Sequence, residues 1–287
     1  MAGRLFIFGL GFSGLEIARL AQAQDWSVGG TCTQPEKVKR LRAEGIDAVL
    51  FDGSASLPAE TLAPASHVLC TIAPGDSGDP ALETCRDLPT GGVRWLGYLS
   101  TTGVYGDHGG KWVDETTPAT PAQPRSIARL AAERAWQALG TRTGAAVDIF
   151  RLPGIYGPGR SAIDQVKAGT ARRIDKPGQV FSRIHVSDVA RAVVAASARD
   201  GPGAIYNVAD DLPASSAEVT AYACELLGLQ APPLLSWEQA MPAMNAMARS
   251  FYAENRRVRN GRMKRDLGVA LRYPTYREGL RAIAGVV

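Results

Sequence analysis

Leu5-Phe6-Ile7-Phe8 is an unbroken apolar run, the pattern of a short strand covered on both faces. Further strand-like segments lie at residues 26–31, 48–51, 67–72, 95–100, 147–152 and 205–208. Helical periodicity fills much of the space between them. Residues 15–23 are a run of good helix formers, and 35–44 place Val38 and Leu41 on one face with Lys37, Lys39, Arg40 and Arg42 mostly on the other. Residues 126–139 form an alanine-rich helix carrying Ile127, Leu130, Ala131 and Trp136. This alternation predicts an α/β fold, a doubly wound parallel sheet with right-handed crossovers. In such a sheet the ligand lies outside the carboxyl ends of the strands, so function is expected in the loops that follow them.

The second half is less regular. Residues 154–160 (GIYGPGR) read as a turn-rich loop and 163–168 as a short helix, while 76–80 read as loop. Ser187 is the expected N-cap of a helix over 188–198. Ser215 and Ser216 open another over 217–227, closed by Gly228. The tail from 238 onward is expected to be helical and basic, with Asp266 and Glu278 as the acids of its 256–281 stretch. These features divide the chain into a dinucleotide-binding domain, 1–155 completed by about 186–210, and a smaller C-terminal substrate lobe from 156–185 and 211–287.

The first strand runs into Gly9, Gly11 and Gly14, a G-x-G-x-x-G spacing that leads into the first helix. Strand, tight turn and helix in this order suit a dinucleotide pyrophosphate. Gly9 permits the turn, Gly11 lets the phosphates approach the backbone, and Gly14 lets helix and strand pack closely. The helix N-terminus offers free N–H groups and a positive dipole to the anion. Phe12 and Ser13 fall inside this loop and join the cofactor set.

Composition narrows the field. The 287 residues are 45% hydrophobic and 21% charged, ordinary for a globular chain of one large or two joined domains. A net charge of +4 is too mild to make nucleic acid a main partner. No apolar run reaches membrane-spanning length, and no signal-peptide layout opens the chain, so neither membrane nor export is expected. Cys32, Cys70, Cys85 and Cys224 show no metal spacing and read as free thiols in a reducing cytoplasm. Three histidines argue against a metal site. A homodimer is a possible assembly.

Five stretches, taken together, resemble the extended short-chain dehydrogenase/reductase family of NAD(P)-dependent sugar epimerases and dehydratases. They are the glycine motif, residues 99–106 (LSTTGVYG), 151–159 (RLPGIYGPG), 184–190 (IHVSDVA) and 205–208 (IYNV). The resemblance implies that Ser100 and Thr101 lie beside the nicotinamide and orient substrate. It implies that Pro153 borders the nicotinamide, that Ala73 ends the fourth strand on the cofactor side, and that Arg183 reaches a substrate phosphate. Phe8 stands where the family's first glycine is usual, as in an atypical branch. The family's catalytic Tyr-x-x-x-Lys is missing, for Arg125 and Arg129 occupy its two places. Arginine stays protonated, so Arg125 cannot shuttle a proton, whereas Arg129 can still bind ribose or phosphate. Tyr105 is the first substitute for the proton relay.

The expected catalytic set is therefore Ser100, Thr101, Tyr105 and Arg129. The second strand ends Thr31-Cys32-Thr33 with no acid to hold an adenosine ribose, and Lys37 and Arg40 follow. Hydroxyls and nearby bases favour NADP over NAD, although Lys37 and Arg40 would equally serve as a solvated helix face. Asp52 fits an adenine contact or a plain Asp-Gly turn. The implied function is an oxidoreductase or epimerase/dehydratase-like enzyme acting on a phosphorylated or sugar-nucleotide-like anion. The alternative is a non-catalytic NADP(H) sensor.

Overall fold

The structure is a computed structural model that describes residues 3–75 and 78–286. Part of the loop expected at 76–80 lies outside the described residues, and Pro80 already belongs to a short helix, Pro80–Thr84.

Seven strands form one all-parallel sheet: β1 (Arg4–Phe8), β2 (Ser27–Cys32), β3 (Asp47–Leu50), β4 (His67–Cys70), β5 (Trp95–Thr101), β6 (Ala146–Leu152) and β7 (Ile205–Asn207). Their spatial order is β7-β6-β5-β4-β1-β2-β3. The chain winds outward from β1 in one direction, returns, and winds out in the other, so the order reverses between β1 and β4. At the centre Phe6 pairs with Gly29 on one side and Val68 on the other. Burial of β1 on both faces explains its continuous apolar run.

Helices cover both faces. On one side α1 (Phe12–Gln22) and a later helix, Val186–Ser197, pack over Leu5, Ile7, Leu69 and Phe150. On the other, the long helix Pro124–Thr143 lays Ala132, Trp136 and Leu139 against Phe6, Phe8, Leu96 and Tyr98. In chain order α2 (Pro35–Ala43) lies between these elements, and the later helices are α3 (Pro124–Thr143), α4 (Val186–Ser197), α5 (Ser216–Leu226) and α6 (Tyr276–Ala284).

Three local expectations are corrected. Gly154–Tyr156 is a strand, not loop, and pairs in parallel with Arg183–His185. The N-cap of α4 is His185, whose Nδ1 accepts the Ser187 N–H, because the chain turns out of that strand pair two residues before Ser187. The tail is broken into short helices, and Arg257–Val258 pairs as a strand with Trp112–Val113. A third cluster of buried side chains, with Tyr156, Ile163, Tyr222, Tyr276 and Leu280, joins the strand pair to α5 and α6.

Candidate functional site

The loop after β1 is shaped by three glycines and two threonines. Gly9 has φ +94°, which an L side chain rarely adopts, and a Cβ there would lie 2.6 Å from Thr71 Oγ1. A Cβ on Gly14 would lie 2.1 Å from the Gly9 carbonyl oxygen, so helix and turn close only without one. Thr71, just past β4, donates to the same carbonyl at 2.6 Å. Above Gly11 the space is open among the described residues: a Cβ would meet none of their atoms within 4 Å. Gly11 is the N-cap of α1, no side chain caps it, and the first turn carries no acid. The first N–H groups thus face open space with the positive end of the helix behind them, the arrangement an anion needs. Phe12 and Ser13 sit half-buried in that first turn.

Thr31 has a different place from the one expected. Its hydroxyl is buried beneath the loop and accepts the Gly9 N–H at 2.8 Å, while its carbonyl accepts the Leu10 N–H. It holds the loop and does not face a ribose. Thr33 is exposed past the end of β2, and Lys37 is half-buried on α2 beyond it. Arg40 is exposed, 3.9 Å from Glu44. Asp52 is exposed past β3 and forms a local turn with Ser54, whose N–H and hydroxyl hold its carboxyl below the usual range. Ala73 is exposed beyond β4, and Pro153 is half-buried beyond β6.

At the end of β5 the expected substrate-orienting pair separates. Successive strand residues point to opposite faces, and Ser100 faces inward. Its hydroxyl donates to Glu133 Oε1 at 2.5 Å, and Glu133 is 2% exposed. Glu133 in turn receives Arg151 Nε at 3.1 Å and Nη2 at 2.8 Å. Ser100 is therefore part of a buried network and cannot orient a substrate while held there. Thr101 is half-exposed and accepts the Gly103 N–H at 3.0 Å. Tyr105 is corrected too. It is fully buried, its hydroxyl donates to Asn207 Oδ1 at 2.8 Å, and Arg151 stacks 4.8 Å from its ring. Burial pushes its phenol up, so it is a poor proton relay.

Arg125 and Arg129 lie on α3, four residues apart and on one helical face. Arg125 is exposed, with its guanidinium 4.3 Å from the centre of the Phe251 ring. Arg129 Nη1 donates to the Leu99 carbonyl at 2.5 Å and to Tyr98 Oη at 3.4 Å, which fixes it at the end of β5. Glu133 continues the same face one turn on. The residue-level reading missed Glu133, Arg151 and Thr71. The signal for the first two was present, because an arginine in a buried strand demands a buried partner.

A cavity of about 570 Å³ opens between the Gly154–Tyr156 strand and helices α5 and α6. Arg183 lines it with Tyr156, Arg160, Ser216, Thr220 and Tyr276. Arg183 Nη1 donates to the Phe181 and Ala214 carbonyls at 2.8 and 2.9 Å, which anchors the head in place. Among the described residues it forms no ion pair. Asp210 and Glu218 both feel its charge, and burial raises the Asp210 carboxyl to about 8. The cavity adjoins the glycine loop through Arg160, stacked 5.5 Å from Phe12. No group of three or more metal-ligating side chains gathers among the described residues, and no helix there is long and apolar enough to cross a membrane.

A doubly wound sheet with a glycine loop at its order reversal and a neighbouring lobe cavity defines a Rossmann-type nucleotide-binding protein. Residues 15–209 match the NAD dependent epimerase/dehydratase family, and the chain belongs to that family. It is 30% identical to Protein YeeZ of Escherichia coli K12 over 246 residues, which are 80% of this chain and 85% of YeeZ. A functionally unknown conserved protein from Silicibacter pomeroyi DSS is 46% identical and superposes with a TM-score of 0.89 over 99% of both chains. MoeE5, solved with UDP-glucuronic acid and NAD, shares the fold at 21% identity, with a TM-score of 0.80 over 99% of this chain and 98% of its own.

Proposed function

We propose that this chain binds a nicotinamide dinucleotide, NADP(H) ahead of NAD(H), and works as an oxidoreductase or epimerase/dehydratase-like enzyme on a phosphorylated or sugar-nucleotide-like anion. The observation that carries the reading is the open space over Gly11 at the uncapped start of α1. There the pyrophosphate replaces the missing cap. MoeE5, of the same fold, was solved with NAD. The lack of an acid at the end of β2, with Lys37 beyond it, supports a 2′-phosphate there. The nicotinamide, when bound, supplies hydride transfer. The chain's own residues then position the substrate: Arg183 holds an anionic group in the lobe cavity, and Thr101, half-exposed at the end of β5, orients it. Four buried free cysteines suit a reducing cytoplasm.

A second reading is a non-catalytic NADP(H) sensor. It is favoured by Arg125 and Arg129 in the places of the family's tyrosine and lysine, together with the sealed hydroxyl of Tyr105.

Gly11→Val tests the site. Its side chain enters the space assigned to the pyrophosphate without touching protein, so the variant should keep its Tm and lose at least about a hundredfold in NADP(H) affinity, the loss of a few charge-assisted hydrogen bonds. Unchanged affinity in a folded variant removes the pyrophosphate from this loop.

A further inference from the structure

We propose that Arg125 and Arg129 form a carboxylate clamp at the reacting end of the cleft, and that the substrate presents a carboxylate there. The inference rests on the dinucleotide reading only in taking the end of β5 as the reacting end. Its own support is the pair of guanidinium groups. They lie one helical turn apart on α3, with Cβ atoms about 6 Å apart at that spacing. Neither is in an ion pair among the described residues.

Each guanidinium is oriented rather than free in solvent. Arg129 is tied by one nitrogen, Nη1, to the end of β5, and no hydrogen bond engages its Nε or Nη2 among the described residues. Arg125 lies 4.3 Å from the centre of the Phe251 ring, which belongs to the short helix Ala246–Tyr252. Stacking uses the flat face of a guanidinium and leaves its N–H edge for a ligand. Two buried acids lie near Arg129: Glu133, one turn on along α3 and held by Arg151 and Ser100, and Asp79, which feels its charge. The Asp79 carboxylate is already taken, with Oδ2 receiving the Trp136 indole N–H at 2.9 Å and Oδ1 the Ala81 N–H at 2.9 Å. Two oriented cations, neither in a salt bridge among the described residues, make a place for an anion. The planar fork matches a carboxylate bidentately. A tyrosine and lysine in the same places would serve a neutral hydroxyl instead. Proton transfer is not what these arginines offer; they fix and neutralise a charged substituent next to the reacting carbon.

The probes are glucuronate 1-phosphate and glucose 1-phosphate, which differ only in the carboxylate. Both are titrated by calorimetry into the full chain, wild type, Arg125→Gln and Arg125→Lys, each first saturated with NADPH. The wild type should bind the glucuronate form about tenfold or more tightly than the glucose form, as expected of one charge-assisted bidentate pair. Arg125→Gln should bring that ratio to about one without changing affinity for the glucose form, and Arg125→Lys should give an intermediate ratio because it keeps charge but loses the fork. Equal affinity of the two probes in the wild type, no binding of the glucuronate form, or an unchanged ratio in Arg125→Gln would each overturn the clamp. The NADPH titration that precedes them reads the cofactor proposal separately, so failure of one does not pass for failure of the other.

Discussion

Asp210 shows how a single side chain sets the charge of a site. It is 1% exposed, its Oδ1 accepts the Leu212 N–H at 3.2 Å, and its Oδ2 has no partner among the described residues. Burial is the dominant influence on it and raises its carboxyl from 3.8 to about 8, against the opposing pull of Leu212 and Arg183. A neutral Asp210 does not itself offset the positive charge of Arg183 at the cavity wall. The fold prefers the protonated acid, so the folded state binds the extra proton between the two values. Its contribution to stability is fully present below about pH 4 and is lost as pH rises through about 8. Asp210→Asn keeps the shape and never ionises. Its Tm relative to the wild type should therefore rise steadily from pH 5 to pH 8, and a difference that does not change with pH would show that Asp210 is already ionised in the fold.

Among the elements, α3, β5 and β6 are joined by one buried ion pair. Glu133 from α3 receives both Arg151 from β6 and Ser100 from β5, and the two charged residues are 2% and 4% exposed. This junction sets where the end of β5 lies, and with it Thr101 and the anchor of Arg129. Breaking such a pair strands a buried charge, whereas replacing both members by apolar groups need not cost stability. Glu133→Gln should lose about 3–5 kcal/mol in chemical denaturation, and Glu133→Leu combined with Arg151→Met should recover much of it. A loss below about 1 kcal/mol in the single variant would mean water reaches Arg151. The elements were legible in the sequence to different depths. β1 to β7 could be read because each lies on a short strand-like segment between helical patterns, and β1 itself is a continuous apolar run. The Gly154–Tyr156 strand could not, because three residues flanked by Pro153 and Gly157-Pro158-Gly159 become a strand only by pairing with Arg183–His185, far along the chain. The broken tail was hidden for the same reason: Arg257–Val258 is set by Trp112–Val113.

For the whole molecule, the sheet order reverses between β1 and β4, and the glycine loop lies at that reversal with the lobe cavity beside it. The glycine loop was readable because its spacing is set by backbone geometry that only glycine satisfies, at Gly9 by φ and at Gly14 by contact. The roles of Ser100, Thr31 and Tyr105 were not, because each depends on a partner chosen by folding: Glu133, the Gly9 N–H and Asn207. A motif places a hydroxyl at the end of a strand but does not say which face it takes. The missing tyrosine and lysine could be read directly, and the structure adds that Arg125 and Arg129 are held in place by Phe251 and by the end of β5.

The most direct measurement is calorimetric titration of the purified chain with NADP(H) and NAD(H), after an absorbance check for nucleotide carried through purification. Tight, saturable binding at one site per chain, tighter for NADP(H), is the expected result. Absence of binding by all four forms, in a chain free of carried nucleotide, would contradict it and leave the glycine loop a structural turn alone.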